Sequence, residues 1–184
     1  MTPDETTPSA ATPDGDLSSD RPDPGEDPNR GVGRVFLVIV DESPEMDVAL
    51  RFACRRARHT GGRVALLYVT ESSEFENWLT VGELMRDEAR HKGEQVLQRL
   101  AGKVNEWVGR MPILHLRDGS PRDQLFQLIE DEPDISILVL GAATGKGGPG
   151  PLVAALTGKY IGRLRVPVTI VPDSLASEEI DSLS

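Results

Sequence analysis

The stretch ISILVLGAATGKGGPGPLVAALTGKYIGRLRVPVTIV, residues 135–171, decides the fold of this 184-residue chain. It begins with a nearly continuous apolar run at 135–140 and ends with a second one at 166–171. Runs of this length, rich in β-branched side chains, are typical of strands buried on both faces of a parallel sheet. Between them lie a glycine-rich loop and a helical segment near 152–164. The order strand, loop, helix, strand predicts an α/β unit.

The loop of this unit has the composition of a phosphate-binding loop. Its glycines are Gly141, Gly145, Gly147, Gly148 and Gly150. Glycines let backbone N–H groups approach an anion, and the N-terminus of the following helix adds partial positive charge. Alternatively, the glycines only turn a tight corner. Pro149 and Pro151 each remove one backbone donor, which weakens a phosphate cradle. The spacing does not match a Walker loop.

The preceding residues repeat the alternation of strands and helices. Three further apolar runs predict strands at 35–40, 63–69 and 113–116. A helix after Ser43 and Pro44, a long helix from about 81 to 108 and a third helix after the turn at 118–121 connect them. The chain is therefore predicted to adopt an α/β fold, with a doubly wound five-stranded parallel sheet and helices on both faces.

Two loops of this fold are the candidate ligand-binding elements. Ligands of doubly wound sheets bind beyond the carboxyl ends of the strands, where the strand order reverses. Asp41 directly follows the first predicted strand, and Gly141 follows the fourth. If these strands are neighbours, both loops face one crevice. Alternatively, Asp41 with Ser43 simply caps the first helix.

The two ends of the chain carry its negative charge. Residues 1–30 contain eight acidic residues, two arginines and six prolines, and residues 173–184 contain four acidic residues and no base. Since the net charge is −10, the central part is balanced. We therefore expect a disordered, acidic, Pro-rich tail at 1–31, one domain at 32–172 and an acidic C-terminal tail at 173–184. Nothing resembles the basic face of a nucleic-acid-binding protein.

Composition excludes several other classes of protein. No apolar run approaches the ~20 residues of a membrane span, and the first residues do not resemble a signal peptide, so a cytoplasmic location is expected. The lone Cys54 lies in a helical apolar pattern and is predicted to be a core residue. No His/Cys cluster has metal-binding spacing, and no histidine is placed to form a catalytic triad, so no metal ligand and no catalytic residue is predicted.

Four segments together resemble the universal stress protein family over about residues 34–172. They are VFLVIVDES (35–43), RVALLYV (63–69), RDGSPRDQL (117–125) and the pair ILVLG and VPVTIVP (137–141 and 166–172). The resemblance implies the strand order 3-2-1-4-5, a Rossmann-like sheet and a homodimer formed through the strand at 166–171. Members of this family act in stress tolerance and signalling, and some of them bind ATP.

The ATP-binding members of that family carry the pattern G-x2-G-x9-G-[Ser/Thr] after the fourth strand. Aligned without gaps from Gly141, this chain has Thr144 at the second glycine and Ala154 and Ala155 at the later Gly-Ser pair. Aligned by spacing, it has Gly145, Gly148 and Gly158, with Lys159 in place of the hydroxyl residue. The gapless alignment is preferred because it keeps both flanking strands in place. In either alignment a phosphate-binding hydroxyl is missing.

The predicted site combines the resemblance with the residues themselves. Asp41 would accept hydrogen bonds from ribose or adenine, Val69 or its neighbour would pack on the base, and the loop would offer N–H groups to phosphate. The predicted cofactor-binding set is Asp41, Ser43, Val69, Gly141, Thr144, Gly145, Gly147, Ala154 and Ala155. The candidate cofactor is ATP with Mg²⁺, or another adenine nucleotide.

Three hypotheses of function remain open at this point. The first is a non-enzymatic regulatory module for the stress response, tuned by an adenine nucleotide. The second is a weak ATP-hydrolysing enzyme on the same fold, for which Asp41 is the one obvious metal-holding carboxylate. The third is a nucleotide-independent dimeric scaffold. The first is preferred, and the protein is not expected to be an enzyme.

Overall fold

A computed structural model describes residues 33–71 and 79–183, and of residues 79–83 it describes the backbone only. The predicted N-terminal tail, 1–31, lies outside the described residues. The elements in chain order are β1 (Val35–Val40), α1 (Pro44–Thr60), β2 (Arg63–Thr70), α2 (Leu79–Val108), β3 (Ile113–Asp118), α3 (Pro121–Asp131), β4 (Ile135–Ala142), α4 (Pro151–Thr157), a 3₁₀ turn (Ile161–Arg163), β5 (Val168–Pro172) and α5 (Ser177–Leu183).

The five strands form one parallel sheet in the order β3-β2-β1-β4-β5. The predicted fold class and strand order are confirmed. Since β1 pairs with both β2 and β4, the chain builds one half of the sheet and then crosses to the other side of β1. The ends of β1 and β4 therefore lie side by side at the point where the strand order reverses.

Successive residues of β1 pack alternately into two separate cores, because the side chains of a strand alternate between its faces. Phe36 and Val38 pack with α1 and α2 on one face. Val35 and Leu37 pack with α3 and α4 on the other. Both faces are covered by helices, which explains why β1 is apolar at every position.

Helix α1 shows the local rules by which this sequence folds. Ser43 is its N-cap, and the Ser43 hydroxyl accepts a hydrogen bond from the Met46 N–H at 3.3 Å. Pro44 occupies the first turn, and Gly61 ends the helix in the left-handed conformation at φ 67°. The buried residues of the helix, which include Cys54, recur at helical spacing. The predicted cap and the predicted core position of Cys54 are confirmed.

The glycine-rich unit differs from its prediction at three bounds. Strand β4 continues through Gly141, which pairs with Val171, so this glycine belongs to the sheet rather than to the loop. Strand β5 starts at Val168 rather than at 166, after Pro167, which has no N–H for the ladder. Helix α4 is only seven residues long and ends at Thr157, before Gly158.

Composition alone marks residues 173–184 as an acidic tail, but this segment contains helix α5, which packs against α1. Ile180 is buried there with 1% of its surface exposed. Asp181 forms ion pairs with Arg51 and Arg55. One apolar side chain and one carboxylate thus hold α5 in place, and summing the charge of the segment gives no sign of either contact.

Candidate ligand-binding crevice

A cavity of about 340 Å³ opens at the carboxyl ends of β1 and β4. This is the position at which doubly wound sheets bind ligands. Its lining comes from the ends of β1, β2 and β4, the first turn of α1, the start of α3 and the residues around the start of α4. A volume of this size is within the usual range for small-molecule sites.

Asp41 lies where β1 ends and is exposed at the crevice. Its Oδ1 accepts hydrogen bonds from the Ser43 N–H at 3.1 Å and from the Ser43 hydroxyl at 2.5 Å. The Ser43 hydroxyl in turn caps α1, so the carboxylate is held in place by the start of this helix. Because both bonds go to Oδ1, the second oxygen, Oδ2, is available as an acceptor for a ligand.

Gly141 forms the floor of the crevice and is needed there for its missing side chain. A Cβ at this position would lie 3.0 Å from Glu45 Cβ and would collide with the Glu45 carbonyl oxygen. The end of β4 therefore touches the first turn of α1 directly. The backbone φ of Gly141 is not in the left-handed region, so close approach rather than a turn explains this glycine.

One wall of the crevice is apolar. Ile39, Val69 and Leu140 line it from three adjacent strands, and Val69 and Ile39 are only half-buried. Tyr68 lines the same cavity and contacts α2, where a Cβ on the buried Gly93 would lie 2.9 Å from the Tyr68 ring. Helix α2 thus packs tightly against Tyr68, on the opposite face of the sheet from Ile39 and Val69. A half-buried apolar wall of this kind suits a flat aromatic ligand.

The polar part of the described lining is acidic. It contains the acidic residues Asp41, Glu42, Glu45 and Glu71, and no lysine or arginine lines the cavity in the described part of the chain. Glu42 pairs with Lys92 of α2 at 2.5 Å, and this contact raises the pKa of the exposed Lys92 ammonium group. Glu71 is the last described residue before 79. The crevice therefore carries negative charge.

In the loop after β4, the residues that were predicted to bind phosphate lie away from the cavity. The Thr144 N–H and hydroxyl both donate to Asp173 Oδ1, at 3.0 and 2.6 Å. Gly145 and Gly147 are exposed and do not line the cavity. The Gly148 N–H donates to the Gly145 carbonyl, which closes a turn with Gly148 at φ 78°.

Four of the nine predicted site residues meet in the crevice, and five do not. Asp41, Ser43, Val69 and Gly141 line it. The others are Thr144, Gly145 and Gly147 in the loop, and Ala154 and Ala155 inside α4. In place of that second group, the cavity is lined by Pro149, Gly150, Pro151, Leu152 and Val153.

Sequence reasoning missed several residues of the lining. Tyr68 and Ile39 were placed inside buried strands, yet each lies within two residues of its strand's carboxyl end, which was the available signal. Glu45 was the first acidic residue after Pro44 in the first turn of a helix that begins at the crevice. Pro121 opens α3 and contributes from the other side of the sheet. For Pro121, no sequence pattern indicates the contact.

No group of three or more His, Cys, Asp or Glu side chains in residues 33–71 and 79–183 is placed to hold a metal ion. In the same part of the chain, no helix is long and apolar enough to cross a membrane.

Comparison with solved structures places the fold among known proteins. Universal stress protein UspA from Lactobacillus plantarum matches with a TM-score of 0.64 and 17% identity, covering 75% of this chain and 97% of that one. A family member from Arabidopsis thaliana with AMP bound matches at 0.55 and 19%, covering 76% and 91%. The universal stress protein from Archaeoglobus fulgidus in complex with dAMP matches at 0.52 and 17%, covering 75% and 96%.

The family itself is shown by sequence. No curated protein matches the chain significantly. The family model described as "Universal stress protein family", however, matches residues 34–172, about three quarters of the sequence. The match covers all five strands and the whole crevice. This chain therefore belongs to the universal stress protein family.

Proposed function

We propose that this protein is a regulatory module whose crevice binds an adenine nucleoside or nucleoside monophosphate. The observation that carries the proposal is the crevice between β1 and β4, in which Asp41 faces an apolar wall. Solved members of the same family and fold contain AMP and dAMP. The proposed response is a change in partner binding rather than a chemical reaction.

The nucleoside half of such a ligand fits the described residues. Val69 and Ile39 offer an apolar surface for adenine. Asp41 Oδ2 would accept a hydrogen bond from a ribose hydroxyl or from the adenine amine, and such a charge-assisted bond is stronger than a neutral one. Ser43 holds the carboxylate and so pre-organises this acceptor. Both halves of the nucleoside therefore have partners of matching chemistry.

The triphosphate half fits poorly. The described lining carries four carboxylates and no cationic side chain, and like charges repel more strongly where water is partly excluded. The Thr144 N–H is already donated to Asp173, and Pro149 and Pro151 have no N–H. We therefore propose that ATP with Mg²⁺ binds more weakly than AMP.

Isothermal titration of the full chain with adenosine, AMP and Mg-ATP tests the proposal. We expect AMP to bind and Asp41→Ala to weaken it at least about tenfold, since a hydrogen bond to a charged group contributes roughly 1.5–3 kcal/mol. Asp47→Ala is the matched control: it removes a carboxylate in the first turn of α1 that pairs with Lys103 and lies outside the crevice. Equal AMP affinity in both variants would place the ligand elsewhere.

A second variant tests whether the negative charge of the crevice weakens the binding of a triphosphate. Replacing Glu42 and Glu45 by glutamine keeps the shape of the crevice and removes two negative charges. We expect this double variant to strengthen Mg-ATP binding more than adenosine binding, because only the former carries phosphates. Adenosine serves as the uncharged reference. An ATP affinity above that of AMP in the wild-type chain would refute the proposed preference.

We further propose that two copies of the chain pair through β5 in a cytoplasmic dimer. Strand β5 is an edge strand of the sheet and carries the exposed Ile170, with 38% of its surface accessible. An open edge is a template for pairing with another strand. A single buried thiol is compatible with a reducing compartment. Light scattering should give a dimer for the wild type and for Leu84→Lys, and a monomer for Ile170→Lys.

A further inference from the structure

Three arginines on one face of α1 line a second cavity, of about 210 Å³, away from the crevice. Arg51, Arg55 and Arg58 have the spacing of residues that share a helix face. The remaining lining consists of Cys54 beneath them and of Glu106 and Trp107 from α2. We call this the arginine pocket. It shares no lining residue with the crevice.

Helix α5 already inserts one anion beside this pocket. The Asp181 carboxylate accepts two hydrogen bonds from Arg51, at 3.2 and 2.9 Å, and two from Arg55, at 2.7 and 2.6 Å. Two guanidinium groups therefore bind a single carboxylate. Their hydrogen bonds lower the pKa of the Asp181 carboxyl group below its ordinary value. Paired guanidinium forks are the geometry by which proteins bind carboxylate and phosphate.

The arginine pocket retains positive charge after Asp181 is counted. Arg58 has no ion-pair partner among the described residues, and it is exposed at the cavity. Glu106 supplies one negative charge. Burial raises the pKa of the Cys54 thiol to about 12, against the opposing charge of Arg55, so the thiol adds no negative charge at neutral pH. Three cations thus face two anions around a cavity large enough for a phosphate group.

The aromatic side of the pocket supports the same ligand class. The Arg51 guanidinium lies 6.0 Å from the Trp107 ring, which holds the arginine at the pocket. A phosphate offers three acceptor oxygens, more than Asp181 does, and it carries up to two charges at neutral pH. To use the forks of Arg51 and Arg55, however, it must displace Asp181.

We propose that the arginine pocket binds a phosphate group, free or as a monoester, and that Asp181 on α5 is a built-in competitor for it. Phosphate binding then releases α5 from α1, and docking of α5 releases phosphate. The apolar contact of Ile180 is the second tie that holds α5 down. The C-terminal segment is thereby a switch that reads phosphate independently of the crevice.

Fluorescence of Trp107 in a Trp78→Phe chain tests this competition. Inorganic phosphate and O-phosphoserine are titrated at constant ionic strength, and they distinguish a free anion from a phosphorylated side chain. We expect Asp181→Asn to tighten phosphate binding at least about fivefold, because the competitor loses its charge. Arg58→Gln should weaken binding in both backgrounds. Arg99→Gln, an exposed arginine of α2 outside the pocket, is the matched control.

Hydrogen exchange on the Trp78→Phe chain with α5 unaltered provides a measurement that does not depend on these variants. The amides of Ser177–Leu183 should exchange faster as phosphate is added, while those of the sheet stay protected. Unchanged α5 exchange at saturating phosphate would overturn the proposal. So would phosphate affinities that are equal in the parent chain, Asp181→Asn and Arg58→Gln. Asp41→Ala should change neither the phosphate affinity nor the exchange of the α5 amides, which separates this pocket from the crevice.

Discussion

Gly141 of β4 contacts the Glu45 backbone in the first turn of α1, with no room for a side chain between them. This contact sets the distance between the end of the sheet and the start of the helix. Asp41 and Ser43 precede this turn, and Val69 lies one residue before the end of β2, so the same contact fixes the shape of the crevice. One glycine therefore couples stability to the candidate site.

Gly141→Ala should lower the free energy of unfolding by about 1–3 kcal/mol, the usual cost of forcing a methyl group into a packed position. Urea denaturation followed by circular dichroism measures this change. Gly145→Ala is the matched control, because a Cβ at Gly145 meets nothing within 4 Å. Equal denaturation midpoints for the two variants would show that β4 and α1 are not in contact as described.

Ser43→Ala should destabilise the protein by about 1 kcal/mol, since the hydroxyl caps α1 through the Met46 N–H. It should also free Asp41 from its bond to that hydroxyl and so loosen ligand binding modestly. Ser43→Thr retains the hydroxyl and should recover most of the stability. A Ser43→Ala chain as stable as the wild type would contradict the capping role.

The Cys54 thiol should be almost inert in the folded protein. Burial raises its pKa to about 12, well above the ordinary value, so very little of the reactive thiolate is present near neutral pH. Reaction with a disulfide reagent at pH 8, with and without urea, measures the difference. Because Cys54 is the only cysteine, the whole signal comes from it. Rapid labelling under native conditions would show that α1 does not bury it.

His115 should make stability depend on pH below neutrality. Burial in β3 lowers its pKa below the ordinary 6.5, opposed by the charge of Glu132 and assisted by that of Arg117. The unfolded chain therefore takes up a proton first as the pH falls. The contribution of the neutral His115 to stability is fully present above pH 6.5. It is lost as the pH falls through the lowered pKa of the folded state. The melting temperature should fall less between pH 7.5 and 5.5 in His115→Gln than in the wild type.

The sequence was sufficient for the fold because its signals are local. The apolar runs of β1 and β2, the Ser43-Pro44 cap and the alternation of strands and helices each follow from residues adjacent in the chain. The strand order could not be predicted from local signals, because adjacent residues do not show which parallel strands are neighbours. It was predicted from the family resemblance. The predicted end of β4 was wrong because Gly141 lies inside the strand, where it is needed for close packing rather than for a turn.

The candidate site was only partly predictable for the same reason. Asp41 directly follows β1, and Val69 is the last but one residue of β2, so topology places both at the crevice. The orientation of the loop after β4 depends on Asp173, which binds Thr144 from 29 residues away. The docking of α5 depends on Arg51 and Arg55, more than 120 residues distant. Such pairs are fixed by the folded structure, and composition does not reveal them.

The most direct test of the crevice proposal is an amide chemical-shift map of the isotope-labelled protein titrated with AMP. We predict saturable shifts at Asp41, Ser43, Val69 and Gly141, separate from those that the phosphate group of AMP causes at Arg58 and in α5. Adenosine, which lacks the phosphate group, should shift the first set alone. Shifts confined to the arginine pocket would mean that AMP is held by its phosphate alone. That result, or the absence of any saturable shift, would contradict the crevice as an adenine-binding site.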